Sequence, residues 1–387
     1  MEHTSDNLQL QRTPDEQEAL NAIALTRMDY FSLVVLRELY ARLGSATAVV
    51  ENRHRIRELF PDASDRVVRA FANMDEALAR AEAEYRWAVD NHIQMLAIND
   101  PRYPRRMAEC PDAPLVVYYR GTADLNATRV ISVVGMRRST TYGHDILRRF
   151  FADLRLACPG VLVVSGLAYG IDIHAHREAL ANGFPTVGVL AHGLDRIYPT
   201  AHRTTAVEML SNGGLLTEYP SQTAMAKGNF VQRNRIVAGM CDACIVVESA
   251  EKGGGLITMN IANDYNRDCL AFPGAVDREQ SKGCNNLIRD NKASLISSAD
   301  DFLRVVGWKT DTQLNKARRK GIERQMFPDL SDDERLVVDT LSRDNDQSLN
   351  MLSVNTGIAM GKLSSVLFYL EMKGLLKTMA GGTYHMF

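Results

Sequence analysis

The sequence predicts an α/β protein: a Rossmann-like, doubly wound parallel sheet, with a helical domain before it and a winged helix after it. Three observations carry this. From Arg129 on, short continuous apolar runs alternate with helical stretches, as in a parallel sheet covered on both faces. Between Pro14 and Val89 apolar residues recur three and four apart, as in Leu20, Ile23, Ala24 and again in Leu33, Leu36, Leu39, Tyr40. The last stretch, 329–387, reads as helix, turn, helix and hairpin.

In chain order, 1–92 is expected to form the helical domain. Its segment Arg37–Gly44, ending in a glycine C-cap, has the look of half a helix-hairpin-helix, a SAM-like arrangement. Residues 93–306 form the Rossmann-like domain. It opens with two strand-like runs, Ile93–Ile98 and Leu115–Tyr119, joined through Asp100-Pro-Arg-Tyr-Pro104. The parallel strands are then expected at Val130–Val134, Val161–Val164, Thr186–Leu190, Leu215–Thr217, Cys244–Val247 and Cys269–Phe272. A linker at 307–328 carries six Lys/Arg against two acids and no apolar period. The winged helix restarts at Ser331-Asp-Asp-Glu334, a helix N-terminus signature. It continues through helices at Leu349–Val354 and Lys362–Met372 to Gly381-Gly382 and a final strand.

Composition narrows the function. Forty-five basic and 47 acidic side chains leave a net charge of −2, so a nucleic-acid site must be a local basic patch. No run approaches the roughly 18–20 apolar residues of a membrane span. The start, Met1-Glu-His-Thr-Ser-Asp, lacks the features of a signal peptide, so a cytoplasmic protein without membrane partners is expected. The six cysteines fit reduced thiols. Cys241-Asp-Ala-Cys244 has CxxC spacing but no second pair, and reads as buried thiols at a strand entry rather than a metal site.

In a doubly wound sheet the ligand sits at the carboxyl ends of the strands. The loops there are small and cationic. Gly135-Met-Arg-Arg-Ser-Thr-Thr-Tyr-Gly143 has a tight turn at Gly135, a projecting Arg137, and Ser139 or Thr140 to cap the next helix. Ser165-Gly166 opens a run of small residues that lets a phosphate approach backbone amides. Gly253-Gly-Gly255 enters another helix. Lys227-Gly-Asn-Phe-Val-Gln-Arg-Asn-Arg235 sets Lys227, Arg233 and Arg235 around Phe230. Arg137 and Lys227 are expected in surface loops, and Phe230 either stacks on a base or anchors its loop in the core. Basic grooves with stacking aromatics are what single-strand binders use.

Other chemistries lack their residues. No GxGxxG follows the first parallel strand and no GxxxxGK[ST] exists, which disfavours a dehydrogenase and an NTP motor. His174-Ala-His176 would not face one ligand from a helix. Neither a metal nor a cofactor is expected.

The ordered set of loops closely resembles the DNA-processing protein A family (DprA, also called Smf). The resemblance rests on Val134–Gly143, on Ser165-Gly-Leu-Ala-Tyr-Gly-Ile-Asp172 with His174, and on Gly193-Leu-Asp-Arg-Ile-Tyr-Pro199. It continues in Thr217-Glu-Tyr-Pro220, Phe230–Gly239, Leu256-Ile-Thr258, Pro273-Gly274 and Gly283–Ile288. It implies a non-enzymatic recombination mediator that binds and protects incoming single-stranded DNA in natural transformation and loads the RecA recombinase. It also implies a homodimer through the Rossmann-like domain. The family's DNA pocket carries over to Arg137, Lys227 and Phe230, with Arg233 and Arg235 from its RNR motif. Gly135, Ser139, Ser165 and Gly166 complete the expected DNA-binding set. Departures fall in the third loop, at Ala191, His192 and His202, where Ala191 sets a methyl group against a close backbone approach.

A second reading is a nucleotide-derivative-binding enzyme or sensor of the phosphoribohydrolase-like type, kept open by Glu248 before Gly253-Gly-Gly255. A transcription factor is disfavoured. Residues 329–387 carry eight acids against five Lys/Arg, and the candidate recognition helix offers only Lys362 at its start.

Overall fold

A computed structural model of the chain describes residues 12–28, 33–308, 330–379 and 381–386. The basic linker expected at 307–328 lies almost wholly outside the described residues. The chain divides into two compact units, Met1–Tyr103 with Pro111–Tyr119, and Pro104–Cys110 with Arg120–Phe387.

The first unit is helical with a small hairpin-like pair of strands. Its helix Pro14–Thr26 starts with a capping box in which Thr13 and Glu16 satisfy each other's backbone N–H, and proline occupies the first turn. The buried Glu18 carboxylate accepts from the Ala46 and Thr47 backbone N–H groups and from the Thr47 and Tyr40 hydroxyls. It thereby satisfies the first amides of the helix Ala46–Glu51. Strands β1 (Gln94–Ala97) and β2 (Val116–Gly121) pair antiparallel, Leu96 opposite Val117.

The second unit holds the parallel sheet. Its strands are β3 (Arg129–Val134), β4 (Val161–Ser165), β5 (Thr186–Val189), β6 (Gly213–Thr217), β7 (Ala243–Val246), β8 (Asp268–Ala271) and β9 (Ser294–Leu295). They lie in the order β6-β5-β4-β3-β7-β8-β9, and every pairing is parallel. The first four run outward from β3 to one side, and β7 to β9 run to the other. The direction of winding therefore reverses at β3 and β7, and the crevice at their carboxyl ends is the place for a ligand.

The sheet is an α/β core covered on both faces, as the apolar runs predict. Ile131, Val133, Val163 and Ile245 pack with Leu147, Phe151 and Ala175 from the helices Thr141–Ala157 and Ile171–Ala181. Phe150 meets Phe151, Phe272 and Phe302 edge-on at 5.5–5.8 Å between ring centres. The two-residue β9 and the polar helix Glu279–Arg289 are among the elements that escape the sequence pattern.

The chain ends in a winged helix with its own core of Val337, Leu341, Leu352, Leu363, Leu367 and Leu370. Helices Asp332–Arg343, Leu349–Thr356 and Met360–Met372 are followed by β11 (Leu376–Met379) and β12 (Thr383–Met386), with β10 (Gln347–Ser348) on the far side of β12. The turn at Gly357 is left-handed, φ +71°, which is why glycine stands there. This domain docks on the sheet domain through buried polar contacts. Arg267 donates to the Arg106 and Gly239 carbonyls and reaches Asn350, and Asn350 in turn donates to the Asp242 carbonyl. Asp242 also holds Arg106 in a bidentate ion pair at 2.6 and 2.8 Å.

Candidate nucleic-acid interface

The site forms where β3 and β7 end. The Met136 N–H donates to the Glu248 carbonyl at 2.8 Å, tying the loop after β3 to the loop after β7. Between these loops and the helix Lys227–Gly239 lies a cavity of about 420 Å³. Its walls include Gly135, Arg137, Arg138, Phe230, Arg233, Lys252 and the glycines Gly253–Gly255.

Lys227 opens a helix instead of standing in a loop. The sequence hides this because Arg233 and Arg235, both buried, sit where an apolar stripe would be read. The helix lines up Phe230, Asn234 and Val237 on the cavity face, with Lys227 one turn earlier on the same side. Phe230 is half-buried. The Arg137 guanidinium lies 5.7 Å from its ring centre and the Tyr198 ring meets it edge-on at 6.0 Å.

Arg137 and Phe230 also line a second, smaller cavity with Tyr169, Ala191, His192 and Tyr198. The two side chains thus form a ridge between two hollows. Tyr169 and Tyr198 remain 49% and 46% exposed, so the second hollow has aromatic walls open to a ligand. Neither tyrosine is singled out by the sequence reading. The available signal was one tyrosine in each glycine loop after β4 and β5, which gains meaning only when the loops are brought together.

The remaining expected residues divide between cavity and scaffold. Gly166 is required by close approach, since a Cβ there would stand 1.8 Å from an Arg233 guanidinium nitrogen. Arg233 is 4% exposed, lines both hollows and donates to the Val189 carbonyl at 2.7 Å. Its Nε is buried without a partner. Burial works against its charge, and the neighbouring Asp172 carboxylate supports it. Arg235 is turned away into an ion pair with Glu218 and braces the fold. The Ser165 hydroxyl is fully buried and donates to the Val133 carbonyl at 2.6 Å, so it shapes the strand end.

Neither Ser139 nor Thr140 caps the helix Thr141–Ala157 through its side chain. The Ser139 hydroxyl pairs with His144 Nε2 at 2.8 Å, and the Thr140 hydroxyl donates to Glu248. Glu248 is buried, and its two oxygens accept from the Thr140 N–H and hydroxyl at 2.8 and 2.5 Å. The carboxylate a phosphoribohydrolase-like site would need is thus engaged in holding the loop that carries Arg137.

Of the departures in the third loop, Ala191 and His192 line the second hollow, and both histidines are held by backbone carbonyls. His192 Nδ1 pairs with the Gly193 carbonyl and His202 Nδ1 with the Leu167 carbonyl, each at 2.8 Å and both buried. His174 stacks on His144 at 3.5 Å, while His176 is buried against the Thr186 hydroxyl, so the pair does not converge. Among the described residues no group of three or more His, Cys, Asp or Glu could hold a metal, and no helix is long and apolar enough to cross a membrane. In the winged helix, Lys362 and Lys373 pair with Asp333 and Glu334 at 2.6 Å.

Residues 94–307 match the family described as DNA recombination-mediator protein A, and 325–382 match the DprA winged helix domain. Protein Smf of Synechocystis sp. is 32% identical over 320 residues, which cover 75% of this chain and 79% of that protein. The X-ray structure of DNA processing protein A (DprA) from Streptococcus pneumoniae superposes with a TM-score of 0.63 at 29% identity, covering 74% of this chain and 97% of that one. The DNA processing protein A of Helicobacter pylori, whose structure gives insights into its single-stranded DNA binding mode, gives a TM-score of 0.50 at 27% identity, covering 58% and 96%.

Proposed function

Because this chain belongs to the DNA recombination-mediator protein A family, we propose that it is a single-stranded DNA-binding recombination mediator. A role in DNA processing comes with the family. In the finer reading the protein protects incoming single strands during natural transformation and loads RecA on them, acting as a homodimer through the Rossmann-like domain, in the cytoplasm and without catalysis of its own.

The observation that carries the reading is the ridge of Arg137 over Phe230, flanked by one hollow at the carboxyl ends of β3 and β7 and a second at those of β4 and β5. A strand crossing the ridge finds cations for its phosphates in Arg137, Arg138, Lys227 and Lys252. It finds a face for a base in Phe230, with Tyr198 and Tyr169 beyond. Duplex DNA keeps its bases stacked inside and cannot use the aromatic faces. Arg233 and Gly166 fix the floor, and Arg235 and Ser165 hold the scaffold beneath it.

The test for the strand reading is an electrophoretic shift with single- and double-stranded oligonucleotides of one sequence, repeated as salt is raised. Preferential shift of the single strand, weakening with salt as counterion release requires, is the expected result. Equal or tighter binding to the duplex would refute it. The finer claim is tested by RecA filament assembly on single strands with and without this protein, where acceleration is expected.

A further inference from the structure

The winged helix turns one apolar face outward. Along its helix Met360–Met372, Leu363, Val366, Leu367 and Leu370 are buried in the domain's own core. On the opposite side Gly361, Ser365, Phe368 and Met372 are exposed, and their spacing of four, three and four lines them up in one stripe. Phe368 is 60% exposed and Met372 72%, with Tyr369 beside them, also 60%. Three large side chains left open at one end of a helix mark an interaction surface. The stripe is also graded, with small residues in its first half and large ones in its second.

We propose that this stripe is the contact for a second copy of the chain, packed antiparallel about a two-fold axis. A two-fold contact is self-complementary: where residue i touches j, j touches i. An axis passing between Val366 and Leu367 sets Met372 over Gly361 of the second copy and Phe368 over its Ser365. Every large side chain of the stripe then meets a small one. Parallel packing would set Phe368 on Phe368 and Gly361 on Gly361, crowding one end and leaving a gap at the other.

The charges on the flanks agree with this pairing. In an antiparallel pair the same flank of each helix lies on the same side. Lys362 therefore comes beside Tyr369 of the second copy, and Ser364 beside its Glu371. A cation meets a ring, a carboxylate meets a hydroxyl, and no like charges meet. Lys362 is held within its own chain by an exposed ion pair with Asp333, a contact weak enough to give up. The contact does not rest on the dimer proposed through the Rossmann-like domain. Where both form, each copy has two different two-fold contacts, and dimers are linked to one another.

The test is sedimentation velocity of the full chain over a range of concentrations, without DNA. The wild type is compared with Phe368→Ser and with the exchange of Ser365→Phe and Phe368→Ser together. Both positions are exposed, so melting should be unchanged. Phe368→Ser should weaken one association step by about tenfold or more. The exchange again sets a large residue against a small one across the axis, and should restore that step. The proposal is overturned if Phe368→Ser associates like the wild type, if the exchange fails to rescue it, or if the wild type stays monomeric. A single monomer–dimer step, lost in Phe368→Ser and regained in the exchange, upholds this contact and removes the dimer through the Rossmann-like domain. A dimer that neither variant alters leaves that dimer standing and overturns this contact.

Discussion

The Arg137 guanidinium rests 5.7 Å from the centre of the Phe230 ring, bringing the loop after β3 onto the helix Lys227–Gly239. A cation on an aromatic face holds the arginine in place and keeps the ring turned toward it. In the proposed reading, a base that stacks here meets a preformed platform with a cation beside it.

Replacing Phe230 by alanine should weaken binding of a single strand by about 1–3 kcal/mol, some five- to a hundredfold. The ring is half-buried and lines both hollows, so the melting temperature should stay close to that of the wild type. Fluorescence anisotropy with normal and abasic oligonucleotides, beside a thermal melt, checks both statements. The abasic strand should bind the wild type more weakly, and that difference should shrink in the variant. A large fall in melting with unchanged affinity would make Phe230 a scaffold residue.

Two arginines should separate cleanly. Arg137→Ala removes an exposed cation at the ridge, so affinity should fall and lose some of its salt dependence while stability holds. Arg235→Ala removes one half of a largely buried ion pair with Glu218. Breaking such a pair typically costs about 3–5 kcal/mol. Urea denaturation of both variants, with binding measured under folding conditions, tests the contrast. Equal stability loss in the two would show that the division into ridge and scaffold is wrong.

How legible these roles were depends on what surrounds each residue. The strands could be read because β3 to β8 are covered on both faces, which turns them into apolar runs such as Val130–Val134. The helix from Lys227 could not, because its inner face is built from Arg233 and Arg235 as well as Ile236 and Val237. Arg137 and Phe230 stand out in the sequence by their chemistry, and the fold brings them within 5.7 Å of each other, with Phe230 on a helix and not in a loop. Arg235 has the same chemistry, and only the fold brings Glu218 to it. Tyr169 and Tyr198 come from loops that meet in space and not in sequence. Ser165 shows the limit of reading small residues as phosphate cradles, since its hydroxyl points into the sheet.

Acid should loosen the scaffold through His176. Burial holds its pKa down to about 3, with Arg233 adding to the effect. An unfolded histidine titrates near 6.5. The neutral folded form is therefore uncompromised above about pH 6.5, and stability falls as pH drops below it, because only the unfolded chain takes up the proton. Asp268, raised to about 6 chiefly by burial, works in the opposite direction, so the histidine must be isolated by difference. The stability advantage of wild type over His176→Gln should shrink by about 2 kcal/mol between roughly pH 7 and 5. Urea midpoints at several pH values measure it, and a constant difference would mean that His176 takes up its proton in the fold as readily as in the unfolded chain.

The central claim is that a single strand lies across the carboxyl ends of β3 and β7. Hydrogen–deuterium exchange of the full chain with and without a short oligothymidine locates the strand directly. Slower exchange is expected in the loop 134–140, in the first turns of the helix Lys227–Gly239 and around 250–258, with the winged helix unchanged. Protection confined to 349–379, with those three segments exchanging as in the free protein, would place the DNA on the winged helix and contradict the account.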